Sequence, residues 1–528
     1  MLNTPSAYGG LVVAPHHLAA QAGRDVLREG GNAVEAMVAA AACIAVVYPH
    51  MNALGGDGFW LIHTPGTAPI AIEACGPAAG RASRAFYAGL DSIPARGPQA
   101  ALTVAGTVSG WATALDQARD WGAALPLPRL LADAIRHARD GIAVSVSQAA
   151  LTREKLSGLR DAPGFAETFL VDGAPPPVGH RLRQIDLAQT LETLAARGLD
   201  DFYRGGVAER LAAGLAAVGS PVGSDDLAAY RARVVEPLAV TLSDARVFNL
   251  PPPTQGLATL MILGLFDRLR VREGESFDHV HGLVEATKRA FRVRDRLVTD
   301  LGRLPADPRA SLEPAALDAL AREIDPTHAL PWPEPSRPGD TIWMGAIDRW
   351  GRAVSFIQSV YWEFGSGVVV PGTGVTWQNR GTSFSLDPKA LNVLEPGRKP
   401  FHTLNPSMAL FNDGRVMPFG TMGGEGQPQT QAAVFTRYAR FGQSLQQAVS
   451  APRWLLGRTW GETSTSLKLE SRFDPQLLAR LRAAGHQVEV LSEAFSDTMG
   501  HAGALVRHPD GRIEGAFDPR SDGAACGV

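Results

Sequence analysis

Apolar and polar positions along the first 63 residues follow the patterns of strands and amphipathic helices. The predicted elements are a strand over 9–13, a helix over 16–29, a helix over 33–47 and a strand over 59–63. Gly30-Gly31 ends the first helix, and Asn32 is a candidate N-cap for the second, which is so apolar that we expect it to be buried. Residues 54–59 form a glycine-rich turn. Because a strand and not a helix follows this turn, close backbone packing is favoured over phosphate binding.

After residue 340 the chain has the period-two alternation of strands. The predicted elements are a hairpin with strands over 341–347 and 352–360, strands over 367–370, 375–378, 407–411 and 416–421, and a helix over 427–440. The preceding residues, 331–339, contain four prolines in nine positions and predict an exposed, extended linker.

Residues 283–296 have helical spacing and carry a dense group of basic side chains. These side chains are Lys288, Arg289, Arg292, Arg294 and Arg296. A solvated helix face is the favoured interpretation, and a buried salt-bridge network is the alternative.

Composition narrows the class of protein. The chain has 528 residues, of which 45% are hydrophobic and 20% charged, and its formal net charge is −3. This globular profile excludes general disorder, and without a basic excess neither nucleic acid nor a membrane is a predicted partner. Three cysteines, Cys43, Cys75 and Cys526, cannot form a disulfide framework in so long a chain. We see no secretory leader and no membrane-length apolar run, so the expected location is cytoplasmic.

Common catalytic motifs do not occur in the sequence. It has no GxSxG, HExxH or Walker A segment, and its 13 histidines are scattered. We therefore predict neither a metal site nor a cofactor.

Asp340-Thr341, at the end of the proline-rich linker, is the first candidate catalytic site. If the chain were cut between these residues, Thr341 would carry both a hydroxyl nucleophile and a free α-amine. An α-amine has a pKa of about 7.7–8.0 and could act as the base at neutral pH. From the spacing alone, ordinary turn chemistry is the favoured alternative.

Gly423-Gly424, between a predicted strand and a predicted helix, is the second candidate. Two consecutive glycines can present backbone N–H groups to a developing oxyanion. A tight strand-to-helix turn explains the same pair without catalysis, and the spacing alone favours that simpler interpretation.

Several sequence blocks, spread in order over nearly the whole chain, carry a family resemblance. They are Gly30-Gly31-Asn32-Ala33-Val34-Glu35-Ala36, Pro49-His50, residues 54–59, residues 284–291, Arg294-Asp295, Asp340-Thr341, residues 364–371, Asn379, Gly423-Gly424 and residues 518–521. With these blocks the sequence resembles the γ-glutamyltransferase family of N-terminal-nucleophile hydrolases. The resemblance makes Thr341 the expected nucleophile.

The resemblance implies an α+β fold, a four-layer αββα N-terminal-nucleophile hydrolase sandwich, made as an inactive precursor. Thr341 Oγ would attack the carbonyl carbon of Asp340. Cleavage there would give a large subunit, 1–340, and a small subunit, 341–528, intertwined in one globular domain. Gly423 and Gly424 would hold the oxyanion, and Ser359 would orient Thr341.

Several positions depart from the pattern by which γ-glutamyl enzymes hold a zwitterionic substrate. Glu73 stands where the family has an Arg for the α-carboxylate, and Ser383 where it has an acid for the α-amine. Tyr361 replaces an Asn near the nucleophile, and His402-Thr403 replaces a pair of serines. Losing a bidentate Arg and an ammonium partner removes most of that recognition, so we expect that glutathione is not the substrate.

The same departures indicate a smaller pocket, for a short carboxylate that bears an amide. The predicted substrate-binding residues are Arg380, Tyr361, His402, Thr403 and Asn379. Arg380 is expected to pair with the substrate carboxylate, and a structural ion pair of Arg380 is the alternative. The segments around these residues resemble the branch of the family that hydrolyses oxamate to oxalate and ammonia in purine (urate/allantoin) catabolism.

Two other classes of function stay open. One is a γ-glutamyl hydrolase or transferase, or an acylase for bulkier amides; the other is an unprocessed homologue that serves as a binding protein. The predicted partners are a small-molecule amide substrate and the two subunits of one precursor, assembled as a homodimer of heterodimers.

Overall fold

A computed structural model describes residues 2–122, 124–332, 340–457 and 465–528, with residue 340 described by its backbone. The predicted linker thus lies, for residues 333–339, outside the described residues. The strands are β1 (Ser6–Ala7), β2 (Gly10–Ala14), β3 (Asp57–His63), β4 (Ile70–Ala74), β5 (Ile142–Ala143), β6 (Arg181–Leu182), β7 (Arg233–Val235), β8 (Leu238–Thr241), β9 (Ala245–Asn249), β10 (Asp340–Asp348), β11 (Ala353–Tyr361), β12 (Val369–Val370), β13 (Val375–Thr376), β14 (Ser407–Phe411), β15 (Val416–Thr421), β16 (Trp454–Leu456), β17 (Leu467–Leu469), β18 (Val488–Val490), β19 (Ala502–Arg507), β20 (Ile513–Phe517) and β21 (Ala524–Gly527). The helices are α1 (His17–Arg28), α2 (Ala33–Val47), α3 (Thr107–Gln117), α4 (Leu127–Asp140), α5 (Val146–Leu159), α6 (Phe165–Phe169), α7 (Ile185–Arg197), α8 (Asp201–Arg204), α9 (Gly206–Val218), α10 (Ser224–Ala229), α11 (Gly256–Leu269), α12 (Phe277–Leu297), α13 (Pro314–Arg322), α14 (Gln427–Ala439), α15 (Leu445–Ser450) and α16 (Pro475–Ala483).

Helix α2 begins where its capping signal predicts. Asn32 Oδ1 accepts hydrogen bonds from the N–H groups of Val34 and Glu35, and Glu35 Oε2 accepts one from Asn32 N. All residues of α2 are buried, as its continuous apolar sequence predicts. The predicted strands over 367–370 and 375–378 shorten to β12 and β13.

Two seven-stranded antiparallel sheets form the centre of the molecule. The first has the order β21-β2-β10-β11-β3-β4-β7, and the second has the order β1-β20-β19-β15-β14-β9-β8. Each sheet combines strands from before and after Thr341. The segments 1–340 and 341–528 therefore cannot separate without breaking both sheets. That cleavage between them gives two intertwined subunits stays a prediction.

The layers follow from the alternation of apolar side chains along the strands. On β2, Val13 packs between the two sheets with Phe59 and Met408, whereas Val12 faces the helices that cover the first sheet, including α1, α2 and α4. Helices α11, α12 and α14 cover the second sheet. The predicted four-layer αββα sandwich is confirmed.

Among the described residues, no helix combines the length and the apolar character that crossing a membrane requires.

The basic segment of α12 is mostly buried, so the favoured prediction of a solvated face is wrong. Glu285, which is fully buried, pairs with Lys288 at 2.7 Å and with Arg289 at 2.9 Å. Arg294 reaches Glu425 at 3.4 Å. These cations can be buried because each of them has a carboxylate partner. The sequence pattern around α12 does not reveal the partner Glu425, because Glu425 lies far away along the chain.

Candidate active site

Thr341 lies near the start of β10, inside the first sheet, and its side chain is fully buried. The pairing of β10 with β11 changes register between Asp340, opposite Tyr361, and Ile342, opposite Gln358. This irregularity places Thr341 across from the segment that holds Ser359. Ser359 is also buried, and its Oγ accepts a hydrogen bond of 2.7 Å from Tyr361 N. The predicted pair, Thr341 and Ser359, thus lies on adjacent strands.

The Gly423-Gly424 turn joins β15 to α14, whose first residue contacts this threonine. Both glycines have positive φ, 116° and 51°, and neither N–H donates a hydrogen bond to another described residue. Gln427, the first residue of α14, donates from Nε2 to Thr341 Oγ1 at 3.4 Å. The Thr341 hydroxyl therefore contacts the side chain of the first residue of α14. Backbone N–H groups and the helix dipole stabilise negative charge at such a helix N-terminus.

Arg380 is a buried cation that has no carboxylate partner among the residues that the structure describes. It is 1% exposed, its Nη1 donates to Thr403 Oγ1 at 3.3 Å, and its guanidinium carbon lies 3.7 Å from the centre of the Tyr361 ring. Its Nε and Nη2 have no hydrogen-bond partner among the described residues. These two N–H groups form one edge of the guanidinium, which matches the two oxygens of a carboxylate. Burial lowers the pKa of Arg380 to about 10, so the group stays charged at neutral pH.

A glutamine connects the arginine side of the pocket to the glycine turn. Gln255 Nε2 donates to Thr403 O and to Gly424 O, both at 2.8 Å. Its Oε1 accepts a hydrogen bond of 3.0 Å from Arg294 Nη1, which fixes the orientation of the amide. Arg380, through Thr403, and the glycine turn therefore belong to one hydrogen-bonded frame.

His402 lies on the same side as Arg380, next to a buried aspartate. His402 Nε2 is 3.2 Å from Asp57 Oδ2. Asp57 Oδ1 accepts hydrogen bonds from Gly76 N, Gly106 N and Gln378 Nε2 at 3.1–3.2 Å. Burial raises the pKa of Asp57 to about 7 and keeps the pKa of His402 well below its usual range, so the imidazole is neutral.

Glu73, at the position of the family's Arg, does not present a free carboxylate to the pocket. It is buried, and it binds Arg233 Nε at 3.1 Å and the Lys399 ammonium. Burial lowers the pKa of Lys399 to about 8. Glu73 is thus held by two cations.

Two further residues singled out by the sequence hold the backbone. Asn379 donates from Nδ2 to Ala95 O at 2.9 Å, and its Oδ1 accepts from Trp362 N at 3.1 Å. Both ends of this amide are engaged with the backbone, and the contact of Asn379 with substrate stays a prediction. Ser383 Oγ lies 2.9 Å from Arg380 O and 3.0 Å from Phe401 O, so it holds the turn that carries Arg380.

Sequence reasoning missed Gln427, Gln255 and Asp57 as parts of this site. Gln427 has a local signal, because it follows the glycine turn and starts the predicted helix. Asp57 is the one acid within the glycine-rich turn of residues 54–59. Gln255 has no comparable signal, since the two carbonyl partners of its Nε2 come from segments more than 100 residues away.

One cluster of the described residues has the geometry of a metal site. His281, Glu285 and His486 place ligand atoms within 4.8 Å of one another. Glu285 is already paired with Lys288 and Arg289, two cations that oppose the binding of another one. We assign no metal to this cluster.

Comparisons with known proteins confirm the family resemblance. The gamma-glutamyltranspeptidase family matches residues 19–528. The chain is similar to the oxamate amidohydrolase proenzyme of Klebsiella pneumoniae subsp. pneumoniae, with 60% identity over 98% of both chains, and to the glutathione hydrolase-like YwrD proenzyme of Bacillus subtilis, with 40% identity over 98% of both. The crystal structure of cephalosporin acylase from Bacillus halodurans matches with a TM-score of 0.91 and 33% identity, over 100% of this chain and 97% of that one. The chain therefore belongs to the gamma-glutamyltranspeptidase family.

Proposed function

We propose that this protein hydrolyses oxamate to oxalate and ammonium, with Thr341 as the nucleophile. The observation that carries the substrate assignment is the buried, unpartnered edge of Arg380 in the same frame as the Gly423-Gly424 turn. That the protein is an amidohydrolase made as a proenzyme follows from its family and from its 60% identity with an oxamate amidohydrolase proenzyme. A role in purine catabolism stays a prediction.

The first step is self-cleavage between Asp340 and Thr341. Thr341 Oγ attacks the carbonyl carbon of Asp340, and the acyl group shifts from nitrogen to oxygen. Water then hydrolyses the resulting ester. The main-chain carbonyl of Asp340 becomes a new C-terminal carboxylate, the Thr341 hydroxyl is freed, and Thr341 gains the α-amine that serves as its base.

The second step uses the same hydroxyl on the substrate. The α-amine takes the proton of Thr341 Oγ as the oxygen attacks the amide carbon of oxamate. The N–H groups of Gly423 and Gly424 stabilise the tetrahedral oxyanion. The C–N bond breaks, ammonia leaves with a proton, and water hydrolyses the oxalyl ester. Oxamate and one water thus become oxalate and ammonium.

The position of Arg380 supports a small substrate. In oxamate the carboxylate is bonded directly to the amide carbon, so its binding group must be close to the nucleophile. Arg380 stacks on Tyr361, whose backbone pairs with Asp340. A γ-glutamyl group would also bring an α-ammonium. That ammonium would be repelled by the cations Arg380 and Lys399. Glu73 could not offset this repulsion, because it is already paired with Lys399.

Hydrolysis of a bulkier amide is the second candidate function. The likeness to cephalosporin acylase over the whole chain favours it. The buried charge of Arg380 argues against it, because a large apolar acyl group would leave that cation without a partner.

A substrate panel tests the proposal. Ammonia release is measured with purified, processed protein on oxamate, malonamate, succinamate and glutamine, and glutamate release is measured on glutathione. We expect turnover of oxamate well above that of the other compounds. Turnover of glutathione or glutamine at a comparable rate would overturn the assignment. A single full-length band on a denaturing gel, with no activity, would support an unprocessed binding protein instead.

A further inference from the structure

Asp57 is a buried acid of the pocket that the reaction above does not use. Its two oxygens have different surroundings. Oδ1 is anchored by three N–H donors, whereas Oδ2 lies 3.2 Å from His402 Nε2 and accepts no hydrogen bond from any described residue. One oxygen thus fixes the carboxylate in the frame, and the other is left to interact with the pocket.

The charges around Asp57 explain why an acid is placed there. Among the described side chains, no carboxylate lies within ion-pair distance of Arg380, and Asp57 is the carboxylate whose field acts on it. Arg380 is in turn the main group that stabilises ionised Asp57. Lys399 pairs with Glu73, which also binds Arg233, and the charge of Asp57 acts on Lys399 as well. Without substrate, the positive charge of Arg380 is therefore offset by Asp57.

A bound carboxylate changes this balance. Its negative charge would neutralise Arg380 and would lie near ionised Asp57 in a site with little water. Two anions that share one buried cation are unfavourable, and the group that can be neutralised is the acid.

We propose that Asp57 is a positioning residue of the anion subsite, which offsets Arg380 when no substrate is bound and takes up a solvent proton when a substrate carboxylate binds Arg380. The proton is held at Oδ2, and no bond of the substrate changes. The inference rests on the proposed function, because it takes Arg380 as the carboxylate-binding group. Burial brings the pKa of Asp57 to about 7, so this protonation is accessible under ordinary conditions.

Other groups around Asp57 set the limits of the test. The groups that face it or act on it through their charge are His402, Arg380, Lys399, Gln378, Cys75, Tyr203 and Tyr230. The Cys75 thiol and both tyrosine hydroxyls are neutral at neutral pH, because burial raises their pKa values. The pKa of Lys399 is about 8, so its titration enters at the upper end of the range. The charge of Asp57 raises this pKa, so Lys399 loses its proton at a lower pH in a variant that removes that charge.

The pH dependence of KM for oxamate separates this role from a merely structural one. If ionised Asp57 excludes the substrate, KM of the wild-type enzyme rises about ten-fold between pH 6 and pH 8, as expected for one group that titrates near pH 7. In Asp57→Asn, the amide oxygen can keep the three N–H donors, and we expect KM to change by less than about two-fold between pH 6 and pH 7.5. The matched control is Asp348→Asn, which removes another buried carboxylate held by backbone N–H groups, outside the pocket; its KM profile should follow the wild type.

Proton uptake provides the second measurement. Oxalate is titrated into processed wild-type protein by calorimetry at pH 7, in buffers of different ionisation enthalpy. We expect uptake of about half a proton per site with wild type, since Asp57 is half-ionised there, and close to none with Asp57→Asn. Wild-type binding without proton uptake would overturn the proposal even if the variant failed to fold. So would equal uptake by the two proteins, or no binding of oxalate at all.

The two proposals fail separately. If the enzyme does not hydrolyse oxamate but oxalate binding takes up a proton that Asp57→Asn abolishes, the role of Asp57 stands and the substrate assignment falls. If oxamate is hydrolysed but wild type and Asp57→Asn share one KM profile, the substrate assignment stands and the role of Asp57 falls.

Discussion

The two sides of the pocket stabilise charge in different ways. The nucleophile side has the neutral amide of Gln427 next to Thr341, at the end of the glycine turn whose backbone N–H groups are the proposed oxyanion donors. The carboxylate side uses buried ionisable groups, Arg380, Asp57 and Lys399. Fixed dipoles suit charge that appears only in the transition state, because they need no counter-charge beforehand. A charge that the substrate always carries needs a permanent opposite charge in the protein. When no substrate anion is bound, that protein charge must be balanced by another group.

The largest effect is expected on the nucleophile side, from Thr341→Ala. Without the hydroxyl neither self-cleavage nor the acyl-enzyme can form, so we expect a full-length chain and no ammonia release above background. Thr341→Ser, which keeps a hydroxyl, should still cut itself and retain measurable activity. A denaturing gel and an ammonia assay check both variants. Cleavage in Thr341→Ala would show that the nucleophile lies elsewhere.

Arg380→Lys tests the carboxylate side and keeps the positive charge. An ammonium cannot donate two parallel N–H bonds to a carboxylate, and it loses most of the contact with the Tyr361 ring. We expect KM for oxamate to rise about 100-fold, while kcat falls much less and self-cleavage continues. Arg303→Lys, at an arginine whose side chain is 63% exposed, is the control. An unchanged KM would refute the assigned role of Arg380 in oxamate binding.

The difference between the two sides also decides what the sequence could predict. Thr341, Gly423 and Gly424 follow from short local patterns together with the family resemblance, and so do the hairpin β10–β11 and helix α14. The surroundings of Arg380 do not, because they come from separate segments. Thr403, which Arg380 contacts, lies 23 residues away, Gln255 binds the Thr403 carbonyl from another segment, and Asp57 acts on Arg380 through its charge from a third. The buried state of α12 was missed for the same reason, since one partner of its cations is Glu425. The local periodicity of a sequence predicts which face of a helix is polar. It does not predict whether a charged residue from a distant segment pairs with that face and allows it to be buried.

Gln427→Ala sharpens the comparison on the nucleophile side. The variant removes a neutral N–H donor that lies 3.4 Å from Thr341 Oγ1, and it leaves Arg380 untouched. We expect kcat for oxamate to fall about ten-fold with KM nearly unchanged, because the lost interaction orients the nucleophile and does not bind the carboxylate. The control is Gln476→Ala, at an exposed glutamine in the first turn of α16. A rise in KM with constant kcat would place Gln427 on the recognition side.

The smallest effect on activity is expected from buried ionisable groups that lie outside the pocket. A carbonyl oxygen only accepts hydrogen bonds, so His281 Nε2 donates to Asp325 O at 2.8 Å. The Nδ1 atom of His281 therefore accepts a hydrogen bond from His486 Nε2. Burial and the nearby Lys288 lower the pKa of His486 to about 3, so the folded state keeps this imidazole neutral. The unfolded chain binds a proton below about pH 6.5, and stability is therefore lost as pH falls from that value towards 3, by up to about 1.4 kcal/mol per pH unit.

The variant His486→Gln, which retains an N–H donor, should reduce the acid sensitivity of thermal unfolding. Melting temperatures at pH 7 and pH 5.5 would differ less in the variant than in wild type. KM for oxamate should stay the same, because the residue does not contribute to the pocket. His328→Gln, at a histidine whose side chain is 77% exposed, should leave both quantities unchanged. An equal acid shift in His486→Gln and wild type would show that other groups govern acid unfolding. A changed KM would mean that charge outside the pocket reaches the carboxylate side, and the contrast between the two kinds of buried charge would then no longer hold.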